Sequence, residues 1–170
     1  MNWWKSVLGV VLSLVLPMAG NATDPGSDAR VLLEVEVQSV AGESGEVSLF
    51  KLEDLKAFPA VRFETETIWT EGVQHFTGVS LAALIQHLDV TGGTLVLEAV
   101  NDYIVELPVA GAVEGGPIIA YELNGALMTR RNKGPLWVVF PYDSDPDYRT
   151  EEIFSQSVWQ LVRIVVEPEG

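Results

Sequence analysis

Eight stretches of the chain read as strands, several of them by strict alternation of apolar and polar side chains, the period-two mark of a strand with one buried face. They are VLLEVEV (31–37), GEVSLF (45–50), VRFETETIW (61–69), TLVLEAV (94–100), YIVELPV (103–109), GPIIAYEL (116–123), PLWVVFP (135–141) and WQLVRIVVE (159–167). Two segments break this rhythm. In SLAALIQHL (80–88), Leu81, Leu84, Ile85 and Leu88 recur at helical spacing, with Ser80 placed to cap the first turn. LEDLKAF (52–58) is a shorter helical piece stopped by Pro59. With no internal repeat, the pattern predicts an α+β, mainly β domain: a single mixed or barrel-like sheet with short helices. The stretch TIWTEGVQHFTG (67–78) is read as the connection between the third strand and the longer helix, and it carries a tryptophan, a histidine and a phenylalanine that a mere connection does not need.

The first residues add a compartment. MNWWKSVLGVVLSLVLPMAGNA carries one lysine, an apolar run from Val7 to Pro17, and small residues Gly20 and Ala22 before a polar TDPGSD. This is the layout of a secretory signal, so the expectation is a signal peptide over 1–22, cleavage near Ala22, a periplasmic protein, and one domain over 23–170. An uncleaved anchor is the alternative. The chain has no cysteine, which removes disulfides, thiolate metal sites and a cysteine nucleophile. A net charge of −14 argues against a nucleic-acid partner.

Against that acidity, Arg130, Arg131 and Lys133 fall within four positions, as if placed for an anion or an oxygen-rich ligand tail. Trp69, with His75 and Phe76 after it and Glu64, Thr65, Glu66 and Thr67 before it, offers an apolar surface edged by hydrogen-bonding groups, which suits a planar heterocycle. In NDYIVELP (101–108), Asn101-Asp102 is a turn signal, while Asp102 and Tyr103 bring a carboxylate and a phenol to the sheet rim. A carboxylate can accept from a ring N–H and an adjacent exocyclic amine together. The run DSDPD (143–147) resembles a calcium loop, but Tyr148 and Phe154 stand where its glycine and final glutamate belong. Hydrolase chemistry is poorly served: there is no G-x-S-x-G, and only His75 and His87 can act as a base.

The order of FTGVSLAALI, EAVNDYIVELP, IIAYELNGALM, GPLWVVFP and a closing WQLVRIVV resembles the molybdopterin-binding domain of the sulfite oxidase family over roughly residues 46–166. That family bears a molybdenum-ligating cysteine on the strand near Glu66 to Trp69, and here there is none. Exported, cysteine-free members are similar to periplasmic pterin-binding regulators of the PruR type. The resemblance implies a sensor rather than an enzyme, with a reduced pterin as ligand, no molybdenum, and a partner in the periplasmic domain of a membrane-bound protein that makes or degrades cyclic diguanylate. It implies a pterin stacked on Trp69 and its loop, the aminopyrimidine edge on Asp102 or Glu66, and the tail on Arg130, Arg131 and Lys133. Tyr103, Tyr142 and Asp143 would line the rim, with His75 in the aromatic loop. Two rival readings are a molybdopterin-dependent oxidoreductase and a periplasmic interaction module without a ligand.

Overall fold

The computed structural model describes residues 30–39 and 45–169, so the expected signal segment over 1–22 lies outside the described residues. Ten strands and three short helices follow one another: β1 (Val31–Val37), β2 (Glu46–Lys51), α1 (Leu52–Ala57), β3 (Ala60–Glu66), β4 (Val73–Ser80), α2 (Leu81–His87), β5 (Thr94–Ala99), β6 (Ile104–Pro108), β7 (Ile118–Leu123), β8 (Ala126–Leu127), β9 (Trp137–Val139), α3 (Glu151–Ser155) and β10 (Leu161–Glu167). The mainly β, α+β expectation holds. The strands divide, however, between two open sheets, ordered β2-β1-β10-β5-β6 and β3-β4-β7-β8 with β9 also on β7. Among the described residues there is no closed barrel and no helix long and apolar enough to cross a membrane.

Alternation decides the first sheet. Leu33, Val35, Leu95, Leu97, Leu107, Ile164 and Val166 all turn inward and are essentially unexposed, each contributing about 2 kcal/mol of burial. On the opposite face Arg163, on the central strand β10, pairs with Glu34, Glu36 and Glu98 from its two neighbours. β1 and β10 run parallel, while every other pairing in this sheet is antiparallel.

The second sheet is centred on β4, a strand whose residues have the sequence pattern of a connection. Gln74 and His75 blur its alternation, and Gly72 and Gly78 suggest a turn. In the fold Gly78 is a strand residue because β7 passes too close for a side chain: a Cβ there would lie 2.2 Å from the Ile119 carbonyl oxygen. The register between β4 and β7 shifts at the same point. The true turn is short, spanning only residues 67–72, and Trp69 sits in it rather than on the strand. α1 packs on β2 and β4, whereas α2 packs on β4 and β7. Ser80 caps α2 as expected, its Oγ accepting from the Ala83 N–H.

Candidate functional site

The turn after β3 is shaped by its threonines. The Thr67 hydroxyl accepts from the Trp69 N–H at 3.1 Å and shares a 2.7 Å hydrogen bond with Thr70, a local bond pattern that holds a tight turn. Trp69 therefore folds back over the domain. Its ring meets Trp159 at 5.6 Å between centroids, Trp137 and Phe154 at 5.9 Å, and Tyr142 at 6.3 Å, all edge to face, within the favourable range for aromatic pairs. Trp137 carries the cluster inward to Phe76 at 5.3 Å. The Trp137 indole N–H is buried without an acceptor among the described residues, the kind of orphan donor that a bound ligand or an ordered water satisfies.

Outward, the rings open into a cleft of about 340 Å³, a volume at the small end of ligand sites. Trp69, Phe154, Val158 and Trp159 form its apolar wall, and Asn101, Tyr103, Ser155 and Ser157 its polar one. The Tyr103 hydroxyl donates to the Ser155 carbonyl at 2.8 Å and ties the β5–β6 hairpin to the end of α3. A second cleft of about 250 Å³ lies beyond Phe154, which belongs to both walls; Glu66, Ile68, Tyr142, Asp143 and Arg149 line it.

The residues expected in one site are thus distributed. Trp69 and Tyr103 line the main cleft, and Glu66, Tyr142 and Asp143 the second one. Tyr142 is not a rim residue: it is 2% exposed, packed against Trp69 and Phe154 and hydrogen-bonded to the Ser157 hydroxyl, and burial pushes its phenol up to about 12. Asp143 is a clamp. Its carboxylate accepts from the Glu66 N–H at 2.7 Å, from the Thr65 hydroxyl at 3.2 Å and from Arg149. The Glu66 N–H, with Thr65 and Arg149 assisting, holds it below the usual carboxylate range although partial desolvation opposes them.

Asp102 is exposed, and its φ of +62° makes it the residue that reverses the β5–β6 turn; its neighbour Asn101, read from sequence only as a turn residue, is the one that lines the cleft. His75 is on β4, not in an aromatic loop. Strand alternation sends Phe76 inward and His75 outward, where it lies 3.2 Å from Glu64 and in the wall of neither cleft.

The basic cluster separates too. Arg130 and Arg131 are exposed in a single 3-10 turn, Arg130–Asn132, outside both walls. Lys133 alone of the three reaches the rings, with Nζ 4.8 Å from the Trp159 centroid and 5.7 Å from that of Trp137, a cation–π arrangement. Its backbone is left-handed at φ +65°, and Gly134 follows where a Cβ would meet the Met128 carbonyl oxygen at 2.3 Å. Gln160, next to Trp159, fastens this loop by donating to the carbonyls of Lys133 and Arg130. Phe154, Val158 and Trp159 were absent from the expected site. The one signal for them was a tryptophan immediately before the last strand, since α3 has only five residues.

Asp145, in the calcium-like run, accepts from the Asp147 N–H and caps a 3-10 turn, Pro146–Tyr148. Among the described residues no three His, Asp or Glu side chains converge on a point that would hold a metal ion.

A comparison with curated proteins returns no match. The family model described as oxidoreductase molybdopterin binding domain matches residues 33–143, well over half of the chain, from β1 through the clamp at Asp143. The matched span supplies Trp69, Asn101 and Tyr103, while the remaining lining residues, from Phe154 to Trp159, follow it. The chain belongs to the oxidoreductase molybdopterin-binding domain family.

Proposed function

We propose that this protein is an exported pterin-binding sensor: a reduced pterin occupies the cleft whose apolar wall holds Trp69 and Trp159, and the loaded protein acts on the periplasmic domain of a membrane-bound enzyme that makes or degrades cyclic diguanylate. One observation carries the reading. The chain keeps the family's domain but has no cysteine, so a molybdenum held by a protein thiolate does not fit its donor set. Where the family's ligand is expected, Glu66 is exposed and Trp69 turns back onto the rings. A bare heterocycle fits better, because a planar ring gains from aromatic walls and needs only a few polar contacts for orientation.

The test is titration of the purified protein with dihydropterin, followed by tryptophan fluorescence and calorimetry. The wild type is expected to bind, with quenching of the cleft indoles. Trp69→Ala is expected to weaken binding about tenfold or more while the variant stays folded. A wild-type protein that binds no reduced pterin overturns the reading. The family match itself favours a second reading, an oxidoreductase that still carries a molybdenum cofactor; stoichiometric molybdenum in protein purified from its native compartment would establish it and displace the sensor.

A further inference from the structure

The polar wall of the main cleft is largely committed to the protein itself. Ser155 donates its hydroxyl to the Glu152 carbonyl, Ser157 to that of Ile153, and Tyr103 to that of Ser155. The indoles of Trp69 and Trp159 carry only a donor. Asn101 is different: it lines the cleft and its side-chain amide has no hydrogen-bond partner among the described residues. It therefore presents a free acceptor and a free donor side by side.

We propose that Asn101 is the specificity residue of this cleft and reads a lactam edge, a ring N–H next to a ring carbonyl, through two parallel hydrogen bonds. The assignment rests on the pterin reading above and sharpens it. A carboxylate matches a different edge, a ring N–H beside an exocyclic amine, where both partners donate. Asp102 offers that chemistry, but it is the left-handed residue of the turn and outside the wall. An amide in the wall makes the exocyclic amine dispensable. The ligand class is then any reduced bicyclic lactam of pterin size, whether or not it bears the amine.

Dihydropterin and dihydrolumazine separate these edges, because both have the lactam and only the first has the amine. Wild type is expected to bind the two within a few-fold of each other. Asn101→Asp keeps the shape but replaces the donor with an acceptor, so dihydrolumazine loses its match while dihydropterin can still offer two donors. The preference for dihydropterin is expected to rise about tenfold or more in this variant, the worth of one charged hydrogen bond. Asn101 is exposed in a turn, and an unchanged melting temperature shows that the fold is intact. If wild type already rejects dihydrolumazine, or if Asn101→Asp leaves the preference unchanged, the assignment to Asn101 falls while the pterin cleft stands. If wild type binds neither ring, the pterin reading falls and takes the assignment with it.

Discussion

Two buried regions of this domain are built from different materials. The inner face of the β2-β1-β10-β5-β6 sheet is mainly aliphatic: Leu33, Val35, Leu95, Leu97, Ile164 and Val166 come from strands, alternate with outward residues, and are essentially unexposed, with Phe50 of β2 the one ring beside Leu33. The region around Trp69 is aromatic, and its rings come from scattered elements: Trp69 follows β3, Tyr142 follows β9, Trp159 precedes β10, Phe154 belongs to α3, and Trp137 lies on β9. Branched aliphatic side chains interdigitate and fill space. Rings that meet edge to face leave some of their own faces uncovered, and Trp69, Phe154 and Trp159 stay half-buried beside the cleft. The first region holds the fold. The second gives up some burial and leaves an open cleft.

The largest expected effect tests the aliphatic side. Leu97 is central in its sheet, on β5 between β10 and β6, and wholly buried. Leu97→Ala should cost about 2 to 5 kcal/mol in denaturant unfolding. Below its melting transition the variant should bind dihydropterin as wild type does. A parallel loss of affinity in the folded variant would break the division between the two regions.

A smaller effect tests the buried end of the aromatic side. The Tyr142 phenol is pushed up from 10.0 to about 12, chiefly by burial, with the bond to Ser157 opposing. A folded-state value above the unfolded one means that the native state keeps the proton. The stability this contributes is fully present below 10.0 and is lost as pH rises through about 12, a difference of roughly 2 to 3 kcal/mol. Tyr142→Phe should therefore flatten the alkaline limb of a melting-temperature profile, at a neutral-pH cost of about 1 kcal/mol for the lost hydrogen bond. Tyr121, also raised mainly by burial, should retain a smaller alkaline loss. An unchanged limb in Tyr142→Phe would mean that the ring cluster opens to solvent before the phenol ionises.

The same contrast explains what could be read from the chain beforehand. On the aliphatic side the alternation of TLVLEA is itself the burial pattern, so β5 is legible residue by residue, and in VLLEVEV the alternation picks out Leu33 and Val35 although Glu36, paired with Arg163, is buried as well. Local chemistry was legible too: Asn124 and Gly125 both take positive φ in the turn between β7 and β8, as the pair suggests. β4 was not legible, because its glycine answers to a neighbouring strand and not to a turn. Nor was the site as a whole. Trp69 and Tyr103 could be singled out by residue type, but their companions Phe154 and Trp159 lie far along the chain and meet them only through tertiary packing. Asn101 looked like a turn residue because it is one, and its place in the cleft wall depends on where α3 ends.

The smallest effect probes the seam of the aromatic region. Asp143 ties the end of β3, just before the Trp69 turn, to the segment that follows β9. Its pKa is lowered, so its contribution is present above the ordinary value of 3.8 and is lost as pH falls through its lower folded value. Its side chain is 37% exposed, and solvent screening keeps the pair with Arg149 to under about 1 kcal/mol. Asp143→Asn should therefore barely move the neutral melting temperature, yet remove part of the acid-induced loss. Hydrogen exchange gives the sharper reading. The Glu66 amide, left with a weaker acceptor, should exchange faster in the variant, while the amides of β5 around Leu97 keep their wild-type rates. Equal acceleration in both places would make the clamp part of the global fold and would erase the seam between the two regions.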